Sequence, residues 1–246
     1  MKILLPPSET KHPGGGAVPL DLGSLALPEL RPLREQAVDA LVALSTDAER
    51  AARVLKLSAR QLSDVELNRA MRTSPTMAAV DRYTGVLFDA LDAGSLDAQS
   101  RRWLGEHVLI QSAPFGPVGA LDRIPSYRLA AGTALPGIPP LRRHWSAATS
   151  AALAGETCLL DLRSEAYVAL GPIPSSVPSA YVRVVTDAGR ALNHFNKKSK
   201  GVLVRTLAQA RPRVRTIDGL LRWAGESRVP LRATGDPGVI ELVSAE

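Results

Sequence analysis

The chain has 246 residues, of which 45% are apolar and 22% charged, with a mean hydropathy of +0.01. These values are typical of a globular protein with a sizeable core. No window approaches the roughly eighteen uninterrupted apolar residues of a transmembrane helix, and the apolar run at residues 3–5 is too short for a signal peptide. We therefore expect a cytoplasmic protein that does not engage membranes. The single cysteine, Cys158, excludes a disulfide framework and reads as a buried structural thiol.

The charge of the chain is unevenly distributed. The formal net charge is +6, and residues 178–232 hold twelve lysines or arginines against three acids. A one-sided basic segment is typical of proteins with a polyanionic partner, although an arginine-rich surface without function is the alternative. Only six residues are lysines, and Lys197, Lys198 and Lys200 fall in one four-residue window. A lysine, unlike an arginine, can lose its proton on burial and attack a carbonyl group.

Hydrophobic periodicity predicts alternating helices and strands. The predicted helices cover residues 28–44, 49–57, 58–71, 85–91, 97–107, 139–153, 164–170, 197–210 and 216–226. The predicted strands lie at residues 2–5, within 78–83, at 107–113, 126–132, 157–163 and 180–186, with two more within 229–243. In the helix of residues 58–71 we expect Leu62, Val65 and Leu67 to be the apolar positions. The pattern predicts a mixed α/β (α+β) fold in one compact domain over residues 1–246, with residues 28–75 as a possible helical subdomain.

Several common functional motifs are absent from the sequence. There is no P-loop, no GxGxxG turn after a strand, no HExxH and no GxSxG. The four histidines lie far apart in the sequence, without clustered acids. We therefore predict neither a metal site nor a cofactor.

Two segments with candidate binding residues lie in the first 132 residues. PPSETK (residues 6–11) places Ser8, Glu9 and Lys11 at the carboxyl end of the first strand, where open α/β sheets bind ligands; an ordinary polar loop is the alternative. PSYRLAAG (residues 125–132), if it is a strand, directs Tyr127 and Arg128 to opposite faces. An inward-facing Arg128 needs an anionic partner, which could be a protein acid or a phosphate.

Two more segments lie further along the chain. LLDLRSEAYVAL (residues 159–170) leads from a buried strand into a turn with Ser164, Glu165 and Tyr167. Ser164 at a helix start could face a phosphate, although Glu165 is equally consistent with ordinary capping. In HFNKKSKGVLVRTL (residues 194–207), Phe195 is followed by four cations that cannot share one helical face. This cluster suits phosphate-backbone contact, and a solvated helix face is the alternative; its members are Lys197, Lys198, Lys200 and Arg205.

These segments, taken together and in order, resemble the YaaA family of peroxide stress proteins. The matching pieces are LLPPSETK, LKLSARQLSDVELNRA, RYTGVLFDAL, SAPFGPVGALDRIPSYRLAAG, RRHWSAAT, LLDLRSEAY and NKKSKGVLVR. The resemblance implies a cytosolic protein that limits peroxide damage, is linked to lowered free iron and binds DNA. It also implies a mixed α/β fold with a positively charged cleft and a helix-hairpin-helix element. That element would fall in residues 49–73, with Lys56 and Arg60 near phosphates, although the usual glycine-rich hairpin is missing.

Two functions are compatible with these observations. The first is a stress protein that binds the DNA duplex backbone, since an aromatic content of 4% offers few platforms for base stacking. The second is an enzyme acting on a nucleotide or nucleic acid, with Lys11 or Lys198 as the nucleophile and Glu165 and Tyr167 beside it. Direct iron sequestration has no ligand cluster to support it. We expect one pocket lined by Lys11, Arg128, Glu165 and Lys198.

Overall fold

The computed structural model describes residues 1–186 and 196–244. The strands are β1 (Lys2–Leu5), β2 (Met77–Ala78), β3 (Val108–Ser112), β4 (Gly116–Gly119), β5 (Arg123–Ile124), β6 (Leu159–Asp161), β7 (Ser179–Val185), β8 (Leu231–Ala233) and β9 (Val239–Val243). The helices are α1 (Arg31–Leu44), α2 (Ala48–Leu55), α3 (Asp64–Arg69), α4 (Ala79–Arg82), α5 (Val86–Leu91), α6 (Ala98–His107), α7 (Leu141–Leu153), α8 (Glu165–Val168), α9 (Asn196–Ala210) and α10 (Ile217–Glu226). Among these residues, no helix has the length and apolar composition needed to cross a membrane.

A seven-stranded sheet with the order β4-β3-β1-β6-β7-β9-β8 organises the molecule. The five inner strands run parallel, while β4 and β8 pair antiparallel at the two edges. Strands β2 and β5 form a separate antiparallel ribbon. Every residue of β3 is buried, as is usual for parallel strands covered on both faces. The predicted mixed α/β class is therefore confirmed.

Strand β1 marks the point where the strand order reverses. Ile3 pairs with Val108 of β3 on one side and with Leu160 of β6 on the other. Alternate side chains of β1 enter two apolar clusters, since Ile3 joins the large one and Leu4 a smaller one with Leu153 of α7. In open α/β sheets, ligands bind beyond the carboxyl ends of the strands at such a reversal. The fold thus opens a crevice where β1 and β6 end.

Three of the predicted elements differ in the structure. Leu62 and Leu67 were expected to be core positions, but their exposed fractions are 51% and 37%, while Val65 is buried. Residues 58–71 divide into a 3-10 turn (Ala59–Gln61) and the short α3, which separates Leu62 from Val65. Leu67 lies two positions after Val65 on α3 and therefore on the opposite side of that helix.

The other two differences concern predicted strands. Residues 126–132 are irregular, because the side chain of Asn68 bonds both the amide and the carbonyl of Arg128, groups that a strand would use for pairing. The strand predicted within residues 78–83 ends at Ala78, and α4 follows it. That helical turn buries Val80 and Arg82 together.

Three arginines, Arg34, Arg82 and Arg163, are fully buried. The guanidinium of Arg34 on α1 donates hydrogen bonds to the carbonyl oxygens of Ala26 (2.6 Å), Phe115 (2.8 Å) and Pro117 (2.8 Å). Burial lowers its pKa to about 10, so Arg34 stays charged at neutral pH. It therefore joins the N-terminal helices to the loops around β4.

We predict that Arg34→Met lowers the free energy of unfolding by about 3 kcal/mol or more, because three buried carbonyl oxygens lose their donors. Urea denaturation followed by circular dichroism measures this loss. Arg31→Met is the matched control, since Arg31 lies on the same helix, is exposed and pairs only with Glu35; we expect a change below about 0.5 kcal/mol. Equal losses for the two variants would contradict the role given to Arg34.

Candidate functional site

The loop that follows β1 is held in place by Arg82 of α4. Its buried guanidinium donates to the carbonyl oxygens of His12, Gly14 (2.8 Å) and Pro75 (3.0 Å). The His12 amide in turn donates to the Arg82 carbonyl at 2.8 Å. Lys11 pairs antiparallel with Tyr83 in the same stretch. These contacts fix the position of Lys11 within an otherwise irregular loop.

Lys11 is half-buried against aromatic rings. Its Nζ donates to the carbonyl oxygens of Ser8 (3.1 Å) and Glu9 (3.2 Å) and lies 4.0 Å from the centre of the Tyr127 ring. Burial lowers the pKa of Lys11 to about 7, and the nearby positive charge of Arg128 acts in the same direction. A large fraction of Lys11 is therefore an uncharged amine at neutral pH, which is the nucleophilic form.

A buried network of hydroxyl groups lies beneath Lys11. The phenol oxygens of Tyr83 and Tyr127 are 2.7 Å apart, and the Ser112 hydroxyl lies 3.1 Å from that of Tyr127. Burial raises the pKa of both phenols, so they stay protonated and neutral. Because Ser112 ends β3, this network ties the floor of the site to the sheet.

Arg128 stands at the edge of the same site. Its backbone is fixed by Asn68 of α3, with an amide-to-Oδ1 distance of 2.7 Å and an Nδ2-to-carbonyl distance of 2.9 Å. The guanidinium lies 3.5 Å from the carboxylate of Glu9, which is largely exposed. Such an open ion pair contributes little stability, so an incoming anion can replace the carboxylate.

Three of the four polar segments line one cavity of about 540 Å³ at the ends of β1 and β6. The first supplies Ser8 and Glu9, and the others supply Ser164, Glu165, Tyr167, Lys197 and Lys200. Arg128, from the remaining segment, adjoins this cavity through Glu9. We call the cavity, together with Lys11 and Arg128 beside it, the carboxyl-end crevice.

Lys200 is the most deeply buried cation of the carboxyl-end crevice, with an exposed fraction of 4%. Its Nζ donates to the Leu162 carbonyl at 3.0 Å and lies 5.3 Å from the centre of the Tyr181 ring. Burial lowers the pKa of Lys200 to about 8, while the carboxylate of Asp161 opposes that shift. Lys200 therefore places a cation in the wall of the cavity, where its Nζ is bonded to the Leu162 carbonyl.

Other candidate residues lie elsewhere. Lys198 lines a separate cavity of about 500 Å³. It lies two positions before Lys200 on α9, and side chains two positions apart on a helix point in nearly opposite directions. Arg205 donates to the carbonyl oxygens of Leu91 (2.9 Å) and Asp92 (2.8 Å) at the end of α5. Lys56 and Arg60 are exposed in the segment between α2 and α3. Glu165 thus lines the crevice cavity, Lys11 and Arg128 adjoin it, and Lys198 does not.

The basic segment of residues 178–232 does not face the crevice as a whole. Arg213 and Arg215 line a third cavity with Met1, at the amino end of β1. Phe195 lies outside the described residues. Among the described lysines and arginines of this segment, Lys197 and Lys200 line the crevice cavity.

Sequence reasoning missed the residues that position the site. Arg82, Asn68 and Ser112 sit in helices or a strand without any local motif that marks them. Nor did it single out Tyr181, which lines the cavity from β7. Within residues 1–186 and 196–244, no group of three or more His, Cys, Asp or Glu side chains is placed to hold a metal ion.

We predict that Lys11 titrates near pH 7, well below the usual lysine pKa of about 10.4. The measurement is the Nζ resonance of ¹⁵N-lysine-labelled protein against pH, with Lys11→Arg used for assignment. Arg128→Met should move the midpoint of Lys11 upward, because a neighbouring positive charge is removed. A Lys11 midpoint near 10 in the unaltered protein would contradict the burial argument.

Comparison with known proteins agrees with the fold and the motif order. The family model described as "Peroxide stress protein YaaA" matches residues 1–227. A UPF0246 protein of Corynebacterium efficiens is 45% identical over 225 residues, covering 89% of each chain. A UPF0246 protein of Streptomyces coelicolor is 42% identical over 214 residues, covering 84% of this chain and 82% of its own. The chain therefore belongs to the YaaA family of peroxide stress proteins.

Proposed function

We propose that this peroxide stress protein binds DNA phosphates at the carboxyl-end crevice and thereby limits iron-driven oxidative damage. The observation that carries the proposal is the convergence of four distant polar segments, which brings Lys11, Arg128, Lys197 and Lys200 to one crevice. Lysine and arginine side chains are the usual partners of phosphate oxygens. DNA that is covered by protein is less accessible to radicals formed beside it.

The size of the cavity decides how DNA would lie. A volume of about 540 Å³ is in the range of small-molecule sites, so it takes a nucleotide-sized group and not a duplex. The duplex backbone would therefore cross the mouth, where Arg128 and Lys197 stand. Asn68 joins Arg128 to α3, and the exposed Lys56 and Arg60 of the segment before α3 would extend the cationic surface outward.

We predict that a fluorescent duplex of about 20 base pairs binds with an affinity that falls steeply between about 50 and 200 mM salt. Replacing Arg128 and Lys197 together by alanine should remove about two phosphate contacts. The slope of log affinity against log salt concentration should then become shallower by roughly 0.9 for each contact, and binding at low salt should weaken about ten-fold or more. Fluorescence anisotropy titrations measure both quantities.

The matched control for this experiment is Arg213→Ala with Arg215→Ala, which removes the same charge at the opposite end of β1. We expect less than about a two-fold change for the control pair. If both double variants lose the same affinity, net charge and not the crevice governs binding. Plasmid nicking by ferrous iron and peroxide should decrease with the unaltered protein and the control pair, and not with the crevice pair.

A second candidate function is amine chemistry on a nucleic acid or nucleotide. It is favoured by the state of Lys11, a half-buried amine with its pKa lowered to about 7. The uncharged Nζ would attack an aldehyde carbon, such as that of an abasic sugar, and the carbonyl electron pair would move to oxygen. Nitrogen then loses one proton and oxygen gains two, the additional proton coming from solution, so that the C–O bond breaks, water leaves and an iminium ion remains. Glu165, which lines the adjoining cavity, is the candidate for these transfers.

Borohydride trapping with an abasic oligonucleotide tests this chemistry, since hydride reduces the iminium ion to a stable amine. We expect a covalent adduct that maps to Lys11, disappears in Lys11→Arg and increases through pH 7 as the amine loses its proton. Lys198→Ala is the control, because Lys198 lines a separate cavity. An adduct spread over several exposed lysines, or no adduct at all, would exclude this candidate.

A further inference from the structure

A second cavity of about 740 Å³ adjoins the crevice cavity. Glu165 and Tyr181 line both cavities and so form the partition between them. We call the crevice cavity, with Lys197 and Lys200, the amine compartment. The second cavity, which we call the apolar compartment after its aliphatic wall, is lined by Val168, Ala169, Pro172 and Ile173. Apart from the two shared residues, its polar lining residues are Arg142, Ser146, Asp161 and Ser179.

The amine compartment has the features of an anion site. Lys197 and Lys200 are one turn apart and line the same cavity, and Lys200 is buried. Two lysine side chains in the wall of one cavity are a favourable environment for a phosphate group.

Asn196 adds a requirement for a hydrogen-bond donor. Its Oδ1 atom is buried and has no hydrogen-bond partner among the residues that the structure describes, and the residue lines the amine compartment. A buried acceptor without a donor is costly. A ligand that carries a hydroxyl group next to its phosphate would satisfy Oδ1 and the lysines together.

The apolar compartment differs in chemistry from its neighbour. Aliphatic side chains from α8 and the segment after it form part of its wall. At the partition, burial raises the pKa of Tyr181, as do the carboxylates of Asp161 and Glu165, so this phenol stays a neutral donor. A flat, mostly apolar ring system with polar edges matches such a space.

We propose that the two compartments form one bipartite site for a nucleoside monophosphate unit. The phosphate lies at the start of α9 on Lys197 and Lys200, a sugar hydroxyl donates to Asn196 Oδ1, and the base occupies the apolar compartment. This proposal rests on the proposed phosphate-binding function and adds the substrate class. The unit is either a free nucleotide or the 3′-terminal nucleotide of a DNA strand, since both keep a free sugar hydroxyl.

Calorimetric titration with adenosine 5′-monophosphate, ribose 5-phosphate, adenosine and inorganic phosphate tests the proposal. We expect adenosine 5′-monophosphate to bind at least about ten-fold more tightly than ribose 5-phosphate, because the base buries apolar surface. Adenosine without a phosphate should show no measurable binding. Equal affinities for the nucleotide and the sugar phosphate would overturn the bipartite site.

Two kinds of variant separate the compartments. Ala169→Trp fills the apolar compartment without changing its charge, so it should reduce nucleotide affinity to that of ribose 5-phosphate and leave the latter unchanged. Lys197→Ala and Lys200→Met should weaken both ligands about ten-fold; Lys197 is exposed, so its loss does not endanger folding. Val202→Trp, in the cavity of Lys198, is the control and should change neither affinity.

The outcomes also distinguish this proposal from the proposed function. If the duplex binds with the predicted salt dependence while the nucleotide does not bind, the bipartite site is wrong and phosphate binding at the crevice mouth stands. If neither binds, both are wrong. Where the nucleotide does bind, competition by a single-stranded oligonucleotide identifies a strand as the source of the unit, and lack of competition identifies the free nucleotide.

Discussion

The candidate site depends on the buried guanidinium of Arg82. Among the described residues it meets backbone carbonyl oxygens and not a carboxylate, and three of them belong to His12, Gly14 and Pro75. Burial lowers the pKa of Arg82, but a guanidinium group stays protonated in proteins, so this buried cation must keep its acceptors. The loop after β1 is therefore fixed along α4, and Lys11 is held above Tyr127. Without this constraint, the loop, which is rich in proline and glycine, would not hold the Lys11 amine in one position.

The lysines differ in their chemical properties because they differ in burial, even where they are close in sequence. Lys197, Lys198 and Lys200 are adjacent in sequence, yet Lys200 is enclosed, Lys197 stands at the mouth, and Lys198 faces another cavity. Lys11 and Lys200 have lowered pKa values because they leave water without gaining a close carboxylate partner. The carboxyl-end crevice combines a weakly basic amine, Lys11, with a buried cation, Lys200. Both candidate functions are therefore proposed for the same crevice, since phosphate binding uses the cation and amine chemistry uses Lys11.

The two ends of strand β1 differ in the charged residues around them. The carboxyl ends of β1 and β6 combine a few cations with the acids Glu9 and Glu165, so the crevice is mixed in charge. At the amino end of β1, Arg213 and Arg215 lie beside the N-terminal residue. A net positive charge attracts polyanions over the whole surface, whereas specificity needs fixed geometry. The crevice supplies that geometry through Arg82, Asn68 and the tyrosine hydroxyls.

The sequence by itself determined the α/β class, most helices and strands, and the segments that carry the chemistry, because hydrophobic periodicity and turn residues act locally. It also marked Ser8, Glu165 and Lys200 as candidates through their positions at strand ends and a helix start. Only the tertiary structure decided that residues 126–132 are not a strand, since Asn68 lies 60 residues from Arg128 in the chain and takes its backbone hydrogen bonds. It likewise decided which lysines are buried and that Lys198 is directed away from the crevice. Burial and long-range hydrogen bonds depend on segments that meet only after folding, so no local pattern records them.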